Sequence, residues 1–249
     1  MKKLHPQTQL LHSDRLRGAE HAAGHQPIHK SVQWGYAHAQ DIADTFQNKR
    51  SGFSYARGGN PPSAALEAQI NSLEQGIGTI SFATGMAAIS TVILALLKEG
   101  DHLVASQYLF GNTTSLFSTL AAHGVSISYV DVTDVEKVKS AIQPNTRMVF
   151  VETLANPRTQ IADLMGIGAV CKEQGLVYVV DATMSTPALL RAKDCGASIV
   201  MNSLSKGLAG HGAVLGGSLT DTGLFDWSHY PNIFEGYRIG DSKNWGLLH

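Results

Sequence analysis

The chain has 249 residues, 43 % hydrophobic and 16 % charged, with a formal net charge of −1 at pH 7. This balance supplies the core of one large domain or two small ones and excludes the disordered class. A net charge this near zero does not suggest nucleic acid or an anionic membrane surface, which usually call for a basic patch, and neither is expected as a partner.

The two cysteines, Cys171 and Cys195, read as reduced thiols of a cytoplasmic protein. The N-terminus MKKLHPQTQLLHSDRLRG begins with a basic pair but has no apolar run behind it, so no export signal is read. No stretch approaches the roughly 18 apolar residues of a membrane span.

Residues 1–44 are polar, carry many histidines and lack periodicity; they read as an N-terminal arm, with 45–249 as the packed domain. Asn60-Pro61 starts a helix, because Asn is a good N-cap and Pro suits the first helical position. Ala64 to Leu73 continues it as an amphipathic segment, Gly76-Ile77-Gly78 breaks it, and residues 79–82 form a short strand. Alternation follows: helix 85–97, strand 102–106, helix 113–122, strand 125–130, a helix capped by Thr133 and running to Ile142, strand 147–151, helix 163–174, strand 176–180 and strand 197–201. Apolar strands alternating with helices predict an α/β fold, a mostly parallel sheet covered by helices on both faces. In such sheets ligands sit at the carboxyl ends of the strands. The residues following those ends are 83–86, 107–112, 152–156, 181–183 and 202–206.

Three of these segments carry chemistry. Asp181 ends the run LVYVVD, and a carboxylate in a crevice needs a cation or hydrogen bonds. A protonated pyridine nitrogen is such a partner and would keep an electron-sink ring electron-poor; an N-cap or a ribose-binding acid fits the same position. Lys206 follows an apolar strand in SIVMNSLSKGLAGHG, between Ser203, Ser205 and glycines 207, 210 and 212. A lone lysine is ordinarily a solvated surface group. A Schiff-base lysine needs an enclosed site that lowers its pKa and leaves room for a flat cofactor. The two hydroxyls suit phosphate oxygens, and the glycines allow close backbone approach. Thr84-Gly85-Met86 joins a strand to a helix N-terminus, an anion site by its free N–H groups and dipole, although an ordinary glycine turn reads the same way.

Together these pieces resemble the Cys/Met-metabolism (transsulfuration) family of pyridoxal-phosphate enzymes: cystathionine γ-synthase, cystathionine lyases, methionine γ-lyase and O-acetylhomoserine sulfhydrylase. The resemblance runs from about Phe53 to the C-terminus, and its motifs are specific in combination. They are Tyr55-Ala56-Arg57 with Gly59-Asn60-Pro61, Thr84-Gly85-Met86, Glu152-Thr153 with Asn156-Pro157, Asp181-Ala182-Thr183, and Ser203-Leu204-Ser205-Lys206 with Gly210-His211.

The resemblance implies pyridoxal 5′-phosphate as cofactor and the large domain of fold type I, the aspartate-aminotransferase-like fold. It makes Lys206 the catalytic residue. It gives cofactor contacts to Thr84, Gly85, Met86, Phe110, Asn156 (near the phenolic oxygen), Asp181, Thr183, Ser203 and Ser205. Tyr55 and Arg57 would reach a neighbouring subunit's cofactor phosphate, which implies a homodimer or homotetramer with shared active sites. The implied reaction is γ-replacement or β/γ-elimination on a sulfur-containing or O-acylated amino acid.

Two departures stand out. The family's Tyr-Gly-x-Thr motif, whose Tyr stacks on the ring and assists proton transfer, is Phe110-Gly111-Asn112-Thr113 here, and Phe110 has no hydroxyl. Tyr108 would need a different backbone path to substitute. Family members also carry a smaller C-terminal domain whose Arg holds the substrate carboxylate, whereas this chain stops at His249 with Arg238 as the only arginine after Lys206. That pattern keeps open a homologue that binds cofactor and oligomerises with little catalysis.

Other classes lack their signatures. No Gly-x-Gly-x-x-Gly follows an early strand, and no Gly-x-Ser-x-Gly is present. His21, His25 and His29 are spaced by four, but Gly24 and Pro27 interrupt a helix there and no carboxylate falls in register, so no metal site is expected.

Overall fold

A computed structural model describes residues 5–15 and 18–233, so the Arg238 segment lies outside the described residues. The described residues form two compact units, one of those up to Gln69 together with 227–233, the other Ile70–Asp226.

In the first unit, the polar stretch read as an arm contains two helices, α1 (Pro6–His12) and α2 (Ala39–Phe46). Their brevity and polar composition hid them from periodicity. Aromatic packing organises the segment beside them: the Trp34 and Phe53 rings lie 5.7 Å apart, and the Tyr36 hydroxyl donates to the Phe53 carbonyl at 2.9 Å. Helix α3 (Pro61–Glu74) starts where Asn60-Pro61 predicts. The Asn60 Oδ1 accepts the Ser63 N–H at 2.9 Å, satisfying one orphan donor of the first turn.

The second unit is a seven-stranded sheet with its helices. In chain order it runs β1 (Gly78–Phe82), α4 (Gly85–Leu96), β2 (His102–Ser106), α5 (Gly111–Ala122), β3 (Ser126–Val130), α6 (Val135–Ser140) and β4 (Thr146–Glu152). It continues with α7 (Leu164–Gln174), β5 (Val177–Asp181), α8 (Thr186–Leu189), β6 (Ile199–Asn202) and β7 (Gly217–Asp221). The strand order is β1-β7-β6-β5-β4-β2-β3. The pairs of β2, β3, β4, β5 and β6 are parallel, and only β7 runs antiparallel to both neighbours.

Successive strand residues face opposite sides, and both sides are apolar. On one face Val149, Val151 and Tyr178 pack with Ile167 and Cys171 of α7, and the Tyr178 hydroxyl donates to the Leu164 carbonyl. On the other, Phe150 of β4 meets Phe117 of α5 edge to face at 5.2 Å, both fully buried. Each such ring contributes about 1.5–3 kcal/mol by leaving water. Helix α7 stops at Gly175, whose φ of +64° a side chain would disfavour.

Three features depart from the sequence reading. Helix α6 is capped by Asp134, which accepts the Glu136 N–H, while the Thr133 hydroxyl is engaged by Asp131 at 2.7 Å; the helix is correspondingly shorter than predicted. Helix α8 and strand β7 were not foreseen. Gly217-Ser218-Leu219-Thr220-Asp221 offers no apolar run, yet Ser218 and Thr220 are wholly buried. Thr79 and Thr220 share a 2.8 Å hydroxyl contact across the β1–β7 ladder, which gives the Thr220 hydroxyl a partner, while the Ser218 hydroxyl has none.

Glu74, at the end of α3, is also wholly buried. Its Oε1 accepts from Asn202 Nδ2 at 2.7 Å, while Glu74 Oε2 and Asn202 Oδ1 have no hydrogen-bond partner. Burial pushes the Glu74 carboxyl up from its ordinary 4.5 to about 7. No helix among the described residues is long and apolar enough to cross a membrane.

Candidate active site

Strands β2, β4, β5 and β6 end on one edge of the sheet, at Ser106, Glu152, Asp181 and Asn202, and β7 begins on the same edge, with Ser218 opposite Asn202. A cavity of about 450 Å³ opens there, within the range of small-ligand sites. Thr84, Gly85, Met86, Phe110, Asn156, Asp181, Thr183, Ser203, Ser205 and Lys206 all line it. Tyr55 and Arg57 belong to the other unit, where the Arg57 guanidinium lies 5.2 Å from the centre of the Tyr55 ring.

The β1–α4 turn forms one wall. Thr84 is extended, and its hydroxyl caps α4 by accepting the Ala87 N–H at 3.0 Å. The N–H groups of Gly85 and Met86, at the first two helical positions, have no intrahelical acceptor and can meet an anion. The turn can be this tight only because it is bare. A Cβ on Gly85 would come within 2.7 Å of the Ser203 Cβ, and one on Gly217 within 2.3 Å of the Thr84 carbonyl oxygen. Gly217, on the unforeseen β7, is therefore a site-shaping residue that sequence reading missed.

The floor is the end of β5 and β6. Asp181 Oδ1 accepts the Thr183 N–H at 2.9 Å, and the Thr183 hydroxyl accepts the Ser203 N–H at 2.7 Å, tying the two strand ends together. Burial raises the Asp181 carboxyl above its ordinary range, against the Thr183 hydrogen bonds that lower it. A cation beside Asp181 would remove that penalty. The Ser205 hydroxyl, expected to face a phosphate, accepts the Gly216 N–H at 3.0 Å here. Lys206 was expected in an enclosed site but is exposed, because it sits beyond the end of β6 in a run of turns rather than beneath a helix. Its backbone is nevertheless pinned, with its N–H on the Ser203 carbonyl and its carbonyl on the Gly210 N–H.

The remaining wall carries Phe110, Asn156 and a residue not singled out as a contact, Glu152. Glu152 is buried at the end of β4, in register with Asp181 on β5, and its Oε1 accepts the Phe110 N–H at 2.8 Å. Its signal was present: Glu152 closes TRMVFVE as Asp181 closes LVYVVD. Tyr108 packs against the core cluster and does not line the cavity, so it does not replace the hydroxyl that Phe110 lacks. Met184, Met201 and Leu215 make part of the lining apolar. An amine, a carboxylate, free N–H groups at a helix start and an apolar wall suit a flat, phosphorylated cofactor.

Residues 7–244 match the Cys/Met metabolism PLP-dependent enzyme family. The chain belongs to that family. It is a pyridoxal-phosphate family, and the mostly parallel sheet is its fold type I sheet.

The O-acetyl-L-homoserine sulfhydrylase of Corynebacterium glutamicum is 37 % identical over 89 % of this chain and 51 % of its own length. The cystathionine γ-synthase/O-acetylhomoserine (thiol)-lyase of Bacillus subtilis is 44 % identical over 67 % of this chain and 45 % of its own. The crystal structure of an O-acetylhomoserine (thiol)-lyase from Campylobacter jejuni, which carries N′-pyridoxyl-lysine-5′-monophosphate, superimposes with a TM-score of 0.88 at 29 % identity, over 98 % of this chain and 61 % of that one. The chain thus spans about half the length of the curated relatives it matches.

Proposed function

We propose that this chain holds pyridoxal phosphate through Lys206 and serves a transsulfuration-type reaction, γ-replacement or β/γ-elimination on a sulfur-containing or O-acylated amino acid. The observation that carries this is the convergence of Lys206, Asp181 and the Thr84–Met86 turn, from three separate strand ends, on one cavity. When bound, the cofactor supplies a carbonyl that condenses with amines and a ring that accepts electron density from the substrate's α-carbon.

The protein's share of the work follows from its residues. Lys206 would offer the amine that anchors the cofactor's carbonyl and the base that moves the substrate's α-proton, a double duty made heavier because Phe110 has no hydroxyl. Asp181, held by Thr183, keeps a proton on the ring nitrogen. The Gly85 and Met86 N–H groups and the Ser203 hydroxyl receive the phosphate. Asn156 would meet the phenolic oxygen and Phe110 the ring, and Met184, Met201 and Leu215 would supply the apolar part of the lining. Tyr55 and Arg57 complete a neighbouring subunit's phosphate site, so the working unit is at least a dimer.

The test is to incubate the purified protein and cofactor with O-acetylhomoserine, cystathionine or methionine, with and without an added thiol. Keto-acid release marks elimination, and thioether formation marks replacement. Full cofactor loading with neither product would refute the catalytic part of the proposal. Mixing Arg57→Ala and Lys206→Ala subunits should restore one intact site per hybrid dimer, and no restoration would refute shared sites.

A further inference from the structure

The buried carboxylate of Glu152 is not explained by the chemistry above. Among the described residues it makes no ion pair, and in register beside it stands Asp181, another carboxylate. Burial, with the repulsion of Asp181 added to it, pushes Glu152 from its ordinary 4.5 to about 7. A residue this unfavourable would be replaced by an apolar one of similar size at little loss unless its oxygens were used. They are used, and on the backbone. The Phe110 N–H donates to Oε1 at 2.8 Å, and the Asn156 N–H is the second backbone donor turned towards this carboxylate. Phe110 precedes α5, whose first turn has no side-chain cap, and Asn156 sits in the exposed loop after β4. These two segments follow different strands, and both line the cavity.

We propose that Glu152 is a positioning residue, a clamp whose one carboxylate receives the N–H groups of Phe110 and Asn156 together and so sets the spacing of the two segments that meet the cofactor. This rests on the reading of the cavity as the pyridoxal-phosphate site. The clamp acts through backbone N–H groups, so it fixes where the Phe110 ring and the Asn156 amide lie without taking part in the reaction itself. A carboxylate offers about four lone-pair sites and a negative charge, so it can accept both N–H groups and strengthen each bond.

The test compares wild type with Glu152→Gln and Glu152→Leu. Amide hydrogen exchange of Phe110 and Asn156 is followed in the cofactor-free protein, and pyridoxal-phosphate affinity is measured by equilibrium dialysis. Gln keeps one acceptor oxygen in the same volume. With the charge gone and one oxygen replaced by a nitrogen that cannot accept, it should raise the exchange of at least one of the two amides and weaken cofactor binding by about tenfold, the loss of one charge-assisted bond. Leu should expose both amides and weaken binding by about a hundredfold, with exchange in the core of β4 and β5 unchanged.

A general structural role would instead raise exchange throughout the sheet in the Leu variant and spare both amides in the Gln variant. That pattern overturns the proposal, as does unchanged cofactor affinity in both variants. Failure of wild type to bind pyridoxal phosphate would refute the cofactor reading and with it the clamp's purpose, whereas the exchange of the two amides reports the clamp itself.

Discussion

Glu74→Gln changes one atom type in a fully buried site between α3 and β6. In the wild type Asn202 Nδ2 donates to Glu74 Oε1, which leaves Glu74 Oε2 and Asn202 Oδ1 as two acceptors without a donor. A protonated Glu74 can donate from Oε2, and a Gln can donate from Nε2, closing a reciprocal pair; an ionised carboxylate cannot. The folded-state carboxyl stands at about 7 against an ordinary 4.5, chiefly through desolvation.

For an acid whose pKa is raised by folding, the unfolded chain loses its proton first. The site's full stability is therefore present below pH 4.5 and is lost as pH rises towards 7, at about 1.4 kcal/mol per pH unit. The accumulated loss is about 3 kcal/mol by pH 8. Gln carries no such titration. Urea unfolding of both proteins from pH 4.5 to 8 should give a stability difference that widens in favour of Gln by about 2–3 kcal/mol and levels off above pH 7. Parallel pH profiles, or a Gln variant that falls behind as pH rises, would refute the reasoning.

Gly217→Ala should destabilise by about 1–3 kcal/mol, because its Cβ meets backbone at Thr84 that cannot swing away. It should also weaken cofactor binding by displacing the Gly85–Met86 amides. Gly78→Ala, on the same sheet with open space at its Cβ, is the control, and equal effects of the two by thermal melting and dialysis would contradict the steric account. Asp181→Asn should keep the fold and lower pyridoxal-phosphate affinity by at least about tenfold, since the ring nitrogen loses its counter-charge. Unchanged affinity in a spectrophotometric titration would remove Asp181 from the ring.

Much of this fold was legible because burial on both faces writes itself as apolar runs. The strands β2, β4 and β5 are such runs, and their carboxyl ends located the site segments without any view of the sheet. The Asn60 cap was legible for an equally local reason, a side chain serving an N–H three residues on. What escaped depends on partners distant in sequence. Strand β7 is interior yet written in Gly, Ser and Thr: the Thr220 hydroxyl is met by Thr79 of β1, and the close approach of Thr84 demands a bare Gly217. Thr133 lost the cap to Asp134 because Asp131 took its hydroxyl. The exposure of Lys206 depends on the run of turns after β6, where no periodicity operates. Glu152 was visible as a strand-end acid, but its use became clear only once Phe110 and Asn156 were seen to share it.

The assignment of Lys206 stands at the centre of this account, and one chemical labelling experiment addresses it. The protein is incubated with pyridoxal phosphate, reduced with borohydride, digested and mapped. The account predicts one pyridoxyl-modified peptide, carrying the label on Lys206 at close to one per chain, with no label retained at that position in Lys206→Ala. Label spread over several lysines, or concentrated on another such as Lys193, would contradict it.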